Sequence, residues 1–307
     1  MTPPPPPPPP PPPHRSQATD TRAEKRAGEN GARQFEVQQV RADAAAVVSD
    51  LVAIEEPLEI RVVIDEDGSK KDRSISITMR TPGADEQLAV GFLVTEGIVS
   101  EREDVVAVRP CRSGSVVRVR LRDTLQVDLQ RLQRHFFTSS SCGVCGKASI
   151  ESVAVQIQSP LKPGTPTVAA EAIGKLPDRL RHAQRLFDQT GGLHASGLFD
   201  CEGSLLAVEE DVGRHNALDK LIGGQWIDDA SVFARSILVV SGRISFELVQ
   251  KALVVGIPIM VAVGAPSSLA IELAQRHGMT LIGFTKPDRY NVYHDCKRIV
   301  ANQLPPS

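Results

Sequence analysis

Residues 236–285 have the sequence SILVVSGRISFELVQKALVVGIPIMVAVGAPSSLAIELAQRHGMTLIGFT and decide the fold class of this chain. Short, continuously apolar runs alternate here with segments of helical periodicity, and such runs are typical of strands buried in a parallel sheet. This alternation predicts crossover connections and an α/β fold with a layered, parallel or mixed sheet. The strands are predicted at 236–241, 257–263 and 280–285, and the helices at 245–255 and 267–277.

The α/β pattern extends upstream, and a β-rich part precedes it. Alternating apolar residues at 58–65 and 74–80 lie on either side of a turn at 66–68 and predict a hairpin. Residues 85–97 have helical spacing, an acidic start and a glycine end. Further predicted elements are helices at 180–189 and 216–224 and strands at 105–108, 115–122, 125–129 and 203–210.

These patterns divide the chain into regions. Prolines fill residues 3–13 without a break, and proline favours an extended helix without internal hydrogen bonds. The charged stretch that follows has little apolar surface to bury. The sequence therefore predicts a disordered proline-rich tail at 1–44, a β-rich N-terminal part at 45–138, a cysteine loop at 139–149 and an α/β part at 150–307.

Composition excludes several classes of function. Aromatic residues make up only 4% of the chain, which argues against a stacking surface for single-stranded nucleic acid. The net charge of −2 predicts no general attraction to nucleic acid or to a membrane. The sequence contains neither an apolar run of the ~18 residues that a membrane span needs nor the apolar core of a signal peptide. Five cysteines are a poor disulfide framework, so we expect a protein of the reducing cytoplasm.

Cys142 and Cys145 carry the most specific chemistry in the chain, within residues 139–147, SSSCGVCGK. Small neighbours give a partner molecule access to the sulfur, and Lys147 can stabilise a thiolate. One close pair supplies only half of the four ligands that a structural zinc site needs. The pair therefore predicts a reactive dithiol, while Cys111, Cys201 and Cys296 stand alone.

No metal site is predicted. The zinc deaminase signature requires glutamate two residues after a histidine and a proline directly before a Cys-x-x-Cys pair. Here Ser196 stands two residues after His194, and no proline precedes Cys142.

Two predicted strand ends carry a glycine–arginine pair, with Arg214 in 209–216 (EEDVGRHN) and Arg243 in 241–245 (SGRIS). In open α/β sheets, ligands bind beyond the carboxyl ends of the strands. A guanidinium group binds a phosphate or carboxylate with two hydrogen bonds, and a helix start adds N–H donors. Two such loops in one unit favour a shared anion-binding crevice.

A simpler interpretation of the first loop is that Asp211 caps the helix while Arg214 pairs with Glu209 or Glu210. His194 follows a Gly-Gly turn, where it is either a polar or proton-transfer group of a site or a structural histidine.

The loop at 283–291, GFTKPDRYN, holds two cations and two aromatic residues after the last predicted strand. It could close over a nucleotide base and its phosphates, or it could be an ordinary solvated turn. The loop at 264–268, GAPSS, is interpreted as structural first, with Ser267 as a helix cap.

Several of these segments together resemble the formate dehydrogenase accessory sulfurtransferases, the FdhD family. The resemblance extends in the expected order over most of residues 50–300, and the polyproline tail lies outside it. The matching runs are RTPGADEQLAVGFLVTEGIV at 80–99, SSSCGVCGKASIE at 139–151, TGGLHASGLF at 190–199, EDVGRHNALDKLIG at 210–223, SGRISFELVQKA at 241–252 and GMTLIGFTKPDRYNVY at 278–293.

The resemblance implies a fold similar to that of cytidine deaminase, without the zinc chemistry, in a cytoplasmic homodimer. It implies that the protein takes persulfide sulfur from a cysteine desulfurase and passes it to the molybdenum cofactor, in its bis-molybdopterin guanine dinucleotide form, for formate dehydrogenase. The cofactor is then a bound substrate, and the protein holds no metal of its own. A carrier that meets two partners needs an accessible loop, so the cysteine loop is expected to be mobile.

The resemblance also assigns roles to residues. Cys142 would bear the persulfide and Cys145 would assist it, by resolving or by shuttling the sulfur. The α/β part would bind the cofactor, with Arg214, Arg243, Lys286 and Arg289 on its phosphates. The family's cofactor-binding stretch corresponds to Phe284, Thr285, Lys286, Pro287, Asp288 and Arg289, and His194 is a further candidate. The alternatives are a non-catalytic molybdenum cofactor chaperone and a thiol–disulfide oxidoreductase.

Overall fold

A computed structural model describes residues 31–66, 68–127, 157 and 160–300, and its first element is a two-stranded antiparallel ribbon. Strand β1 (Ala32–Val40) pairs with β2 (Ala45–Ala53) along its full length. The prediction of a disordered tail up to residue 44 is therefore wrong for Ala32–Val40. This strand is polar and mostly exposed. It is held by backbone hydrogen bonds to β2, and such pairing does not require the alternating apolar residues by which a strand is recognised in a sequence.

A four-stranded sheet and one helix form the rest of the N-terminal part. The sheet order is β4-β3-β6-β5, in which β3 and β6 are parallel and the other neighbours are antiparallel. The predicted hairpin, the predicted helix at 85–97 and the predicted strands at 105–108 and 115–122 are confirmed. A strand was also predicted at 125–129, but residues 125–127 are not in a strand. The elements are β3 (Glu56–Glu66), β4 (Ser69–Arg80), α1 (Asp85–Thr95), a 3₁₀ helix (Arg102–Asp104), β5 (Val105–Pro110) and β6 (Val116–Leu121).

The C-terminal part is built on a mixed six-stranded sheet of order β13-β12-β11-β10-β8-β9. Strands β10, β11 and β12 are parallel, as the apolar runs predict, and the other neighbours are antiparallel. The elements are β7 (Val168–Ala169), α2 (Ala170–Ala183), α3 (Arg185–Thr190), β8 (His194–Phe199), β9 (Leu205–Asp211), α4 (Arg214–Asp229), a 3₁₀ helix (Ala230–Arg235), β10 (Ile237–Val240), α5 (Phe246–Val254), β11 (Ile259–Ala262), α6 (Ser268–His277), β12 (Thr280–Lys286), β13 (Arg289–His294) and β14 (Ile299–Val300).

Alternate residues of the central strands are buried against the helices on opposite faces of the sheet. Ile237 and Val239 join a cluster with α2 on one face, whereas Leu238 and Val240 join the cluster of α4, α5 and α6 on the other. This second cluster also contains the apolar residues of β3, β6 and α1. The two parts of the chain therefore share one hydrophobic core.

Helices α1 and α4 cross at two glycines that let their backbones touch. A Cβ on Gly91 would lie 1.8 Å from the carbonyl oxygen of Asp219, and one on Gly223 would lie 1.9 Å from that of Gln87. Only residues without a side chain fit at this crossing. It fixes the N-terminal part against the helix whose first turn reaches the candidate site.

Among the described residues, no helix is long and apolar enough to cross a membrane.

Candidate functional site

The turns that follow β10, β11 and β12 lie side by side at the carboxyl edge of the six-stranded sheet. The N–H of Gly264 donates to the carbonyl oxygen of Gly242, and the N–H of Phe284 donates to that of Gly264, each over 3.1 Å. The backbones are so close that a Cβ on Gly264 would lie 3.0 Å from the Gly242 oxygen. Parallel strands bring their ligand-binding turns to one edge in this way.

His194 reaches the same edge because it begins β8, which runs antiparallel to β10. The next residue, Ala195, donates its N–H to Oγ of Ser241 over 2.9 Å and accepts the N–H of Ser241 over 3.0 Å. Nδ1 of His194 lies only 3.3 Å from where a Cβ on Gly242 would stand. The histidine is therefore held beside the turn after β10. The predicted Gly-Gly turn does precede it, with Gly191 at a φ of 67°, but the strand that follows was not predicted.

Burial lowers the pKa of His194, and the positive charges of Arg214 and His215 lower it further. The carboxylate of Asp211 acts in the opposite direction. Since the ordinary histidine pKa is about 6.5, the imidazole is neutral at neutral pH. It can then donate one hydrogen bond and accept another.

Arg214 is the first residue of α4 and comes to this edge directly after β9. Its Nε is buried and has no hydrogen-bond partner among the described residues. Arg214 forms no ion pair with Glu209 or Glu210, which removes half of the simpler interpretation of this loop. A buried guanidinium donor without a partner needs an acceptor, and an anion at the helix start would supply one.

Asp211 holds the turn before α4 in place. It is fully buried and accepts the N–H of Gly213 over 2.8 Å and that of Thr81 over 3.1 Å. Its other partners are Nζ of Lys220 at 2.7 Å and Nδ2 of Asn216 at 3.1 Å. The other half of the simpler interpretation is also wrong, because Gly213 is the N-cap residue of α4 and no side chain in the described part of the chain caps the helix. Asp211 instead holds the turn that precedes it.

The sequence did not single out another residue of this edge, His215. Its Nε2 lies 3.0 Å from Oε2 of Glu247 and 3.3 Å from Oγ of Ser245, at the start of α5. The hydrogen bond from His215 is the largest cause that lowers the pKa of Glu247. The adjacency of His215 to Arg214 was a usable signal, but Glu247 is an ordinary first-turn glutamate in the sequence.

Arg243 and Phe284 lie at the same edge, and together with His194 and Arg214 they define the candidate crevice. The Arg243 backbone packs at Gly264, where a Cβ would lie 3.1 Å from the Arg243 Cα, and its side chain is exposed. Phe284 adopts a φ of 52° and exposes nearly half of its side chain. Thr285 beside it is buried, and its Oγ1 has no partner among the described residues.

The rest of the stretch that the resemblance indicated continues away from Phe284 along the β12–β13 hairpin. The carbonyl oxygens of Lys286 and Pro287 lie 3.1 Å and 2.8 Å from where a Cβ on Gly174 of α2 would stand. Asp288 and Arg289 are exposed at the turn. The structure thus brings His194, Arg214, Arg243 and Phe284 together, and the remaining five candidates, at 285–289, continue along the hairpin.

Cys142 and Cys145 lie outside the residues that the structure describes, as does the whole cysteine loop. Within residues 31–66, 68–127, 157 and 160–300, no group of three or more His, Cys, Asp and Glu side chains is arranged to hold a metal ion.

A model of the FdhD/NarQ family matches residues 53–300. The chain belongs to the FdhD/NarQ family. The matched span includes the cysteine pair, the crevice and the hairpin after β12. The resemblance seen in the sequence motifs is therefore confirmed.

Curated relatives in the FdhD/NarQ family are similar over nearly their whole length. Sulfur carrier protein FdhD of Mycobacterium tuberculosis is 46% identical over 86% of this chain and 96% of the relative. The protein of the same name from Saccharolobus solfataricus is 39% identical over 87% of this chain and 98% of the relative. A crystal structure described as a formate dehydrogenase accessory protein, from Desulfotalea psychrophila, has 25% identity and a TM-score of 0.66 over 88% of this chain and 99% of that one.

Proposed function

We propose that this FdhD/NarQ family member is a sulfurtransferase, which carries sulfur on Cys142 to the molybdenum cofactor that formate dehydrogenase requires. The observation that carries the proposal is its high identity to proteins named sulfur carrier protein FdhD, over a span that contains both the cysteine pair and the crevice. The resemblance assigns the donor, a cysteine desulfurase, and the acceptor, the bis-molybdopterin guanine dinucleotide form of the cofactor.

The sulfur chemistry follows from thiol–disulfide exchange. The Cys142 thiolate attacks the outer sulfur of the donor's persulfide, the donor's S–S bond breaks, and the donor cysteine leaves as a thiolate. Cys142 then carries the persulfide. Attack of Cys145 on the inner sulfur releases hydrosulfide for the acceptor and leaves a Cys142–Cys145 disulfide, which a cellular thiol reduces.

The crevice supplies the groups that a guanine dinucleotide substrate needs. Nε of Arg214, which has no partner in the part of the chain that the structure describes, and the exposed side chain of Arg243 are donors for its phosphates. The exposed ring of Phe284 offers a face on which a base can stack. Lys286 and Arg289 add charge along the hairpin, where a long ligand with several phosphates would extend.

The neutral His194 contributes a hydrogen bond without adding a charge to the crevice. Thr285 holds a second buried polar atom without a partner among the described residues, and Pro287 and Asp288 shape the turn that follows. We further propose that the protein acts in the cytoplasm as a homodimer, in transient contact with the desulfurase and with formate dehydrogenase.

The test is a mass measurement on the full chain after incubation with a cysteine desulfurase and cysteine. The wild type should gain about 32 Da per sulfur atom. Cys142→Ala should gain no sulfur at the cysteine loop and should still bind guanosine diphosphate. Cys201→Ala is the matched control. Burial raises the pKa of the Cys201 thiol, so Cys201 is a poor nucleophile and its loss should change nothing. Equal sulfur uptake by Cys142→Ala and the wild type would contradict the assignment.

A further inference from the structure

Strand β9 lies at one of the two edges of the six-stranded sheet, opposite β13. Among the described residues it pairs only with β8, so its other edge offers free backbone N–H and C=O groups. Natural proteins commonly protect such edges with lysine, proline or a covering element, because a free edge is a template for another strand. The sequence of β9, LLAVEED, has neither lysine nor proline, and Leu205 and Leu206 at its start are exposed.

A groove of about 550 Å³ runs along this edge, between the turn after β4 on one side and the α2–α3 junction on the other. Pro82 and Gly83 form one wall, and Ala183 and Leu186 form the other. The volume lies within the ~300–1,000 Å³ of typical binding clefts. The groove is separate from the crevice at the carboxyl edge, since none of His194, Arg243 and Phe284 lines it.

The side chains of β9 alternate between the two sides of the groove. Val208 packs against the cluster beneath α2, and Glu210 accepts the N–H groups of Leu186 and Phe187 over 2.8 Å each. Glu209 points the opposite way, toward Lys220 of α4. A segment lying along this edge would therefore meet Val208 and the already hydrogen-bonded Glu210 on one side, and Glu209 on the other.

The carboxylate of Glu209 makes no hydrogen bond or ion pair with the residues that the structure describes. Lys220 does not neutralise it, because its Nζ is engaged with Asp211 at 2.7 Å and with the Thr81 carbonyl oxygen at 2.8 Å. Burial raises the pKa of Glu209, an effect that Lys220 only partly offsets. A half-buried carboxylate without a partner is stabilised by an incoming cation.

We propose that the free edge of β9 binds an extended segment of a partner protein as an added strand, with a basic side chain on Glu209 and apolar side chains on Val208 and Leu186. Backbone hydrogen bonds to the edge would give affinity, and alternate side chains would give specificity. A second copy of β9 does not meet this requirement, because the strand carries three acidic residues and no basic one. The partner segment therefore alternates basic and apolar residues.

The probe is a short, end-blocked, fluorescently labelled peptide in which lysine and valine alternate, added to the full chain. Fluorescence anisotropy should show binding tighter than about 1 mM, and hydrogen exchange should slow at the backbone amides of 205–210. Glu209→Gln keeps the shape of the side chain and should weaken binding at least about fivefold, as expected for a charge-assisted contact. Glu202→Gln, in the exposed turn before β9, is the matched control and should leave binding unchanged.

Two control peptides sharpen the test. One has glutamate in place of lysine, and the other carries N-methyl groups on alternate amides, which removes the backbone donors. Equal binding of either control peptide, no effect of Glu209→Gln, or no added protection at 205–210 would each overturn the proposal. Absence of any binding at about 1 mM would do the same. Cys142→Ala should bind the lysine–valine peptide like the wild type, so the outcome is independent of sulfur transfer.

Discussion

Nε2 of His215 lies 3.0 Å from Oε2 of Glu247, so the first turn of α4 is tied to the first turn of α5 at the carboxyl edge of the sheet. The contact fixes the orientation of the imidazole ring that follows Arg214 in the chain. It joins two helix starts that are more than thirty residues apart in sequence. The crevice is therefore assembled by side-chain contacts between helices as well as by the turns of the sheet.

The Glu247 contact should make stability depend on pH in the acidic range. Because His215 lowers the folded-state pKa of Glu247 below its ordinary value of 4.5, the contact stabilises the protein above pH 4.5, and this contribution is lost as pH falls through the lowered pKa. Urea unfolding of the wild type and Glu247→Gln between pH 3 and pH 6 should show a difference that shrinks toward the acid end. The exposed Glu272→Gln should show no such trend. A difference that grows on acidification would contradict the contact.

Arg214→Gln should weaken binding of guanosine diphosphate by about tenfold or more, because the substitution removes a charged donor from the proposed cofactor-binding crevice. Titration calorimetry at neutral pH measures the effect. Arg276→Gln, in the last turn of α6 and therefore at the opposite edge of the sheet, is the matched control. An unchanged dissociation constant for Arg214→Gln, or an equal loss for Arg276→Gln, would place the nucleotide elsewhere.

Two neighbouring glycines of α4 should differ strongly in how they tolerate substitution by alanine. Gly223→Ala drives a Cβ into the α1 backbone, 1.9 Å from the Gln87 oxygen, so the free energy of unfolding should fall by about 3 kcal/mol or more. A Cβ on Gly224 meets only Cγ of Gln87 at 3.7 Å, so Gly224→Ala should be neutral or stabilise the helix by up to ~1 kcal/mol. Denaturant unfolding separates the two variants. Similar stability of both would mean that α1 and α4 do not touch at this crossing.

A buried ion network links α1, α4 and α5. Nζ of Lys251 lies 3.0 Å from Asp219 and 3.1 Å from Glu96, and it also donates to Oγ1 of Thr95 over 2.8 Å. Burial alone would lower the pKa of Lys251, but the two carboxylates overcome that effect and raise it. The lysine is therefore charged inside the core.

Lys251→Met should destabilise the protein by about 3–5 kcal/mol, because it leaves the buried Asp219 without its counter-ion. Lys70→Met is the comparison, since Lys70 pairs with Asp65 and Asp123 on the surface and such pairs contribute at most ~1 kcal/mol. Urea unfolding at neutral pH gives both values. Equal losses for the two variants would show that the network does not stabilise the core.

Some elements were predictable because their pattern is local. The strands at 237–240 and 259–262 are continuously apolar and buried on both faces, and the helix at 85–95 has an acidic first turn. Strand β8 was missed because HASGLF holds small residues and glycine, which are typical of a turn. Strand β13 was missed because RYNVYH is polar and half-exposed at the sheet edge. Both pair through backbone hydrogen bonds, which leave no apolar signature.

The sequence by itself determined the α/β class, the family, and the positions of the Cys142–Cys145 pair and of the two arginine-bearing strand ends. These follow from local composition and from the order of motifs along the chain. Only the tertiary structure decided that His194 stands beside Gly242, that Glu247 holds His215, and that Glu209 lines a groove along a free edge. The physical reason is that each of these contacts joins segments brought together by antiparallel pairing or helix packing, and a local pattern does not specify which distant turn a side chain will face.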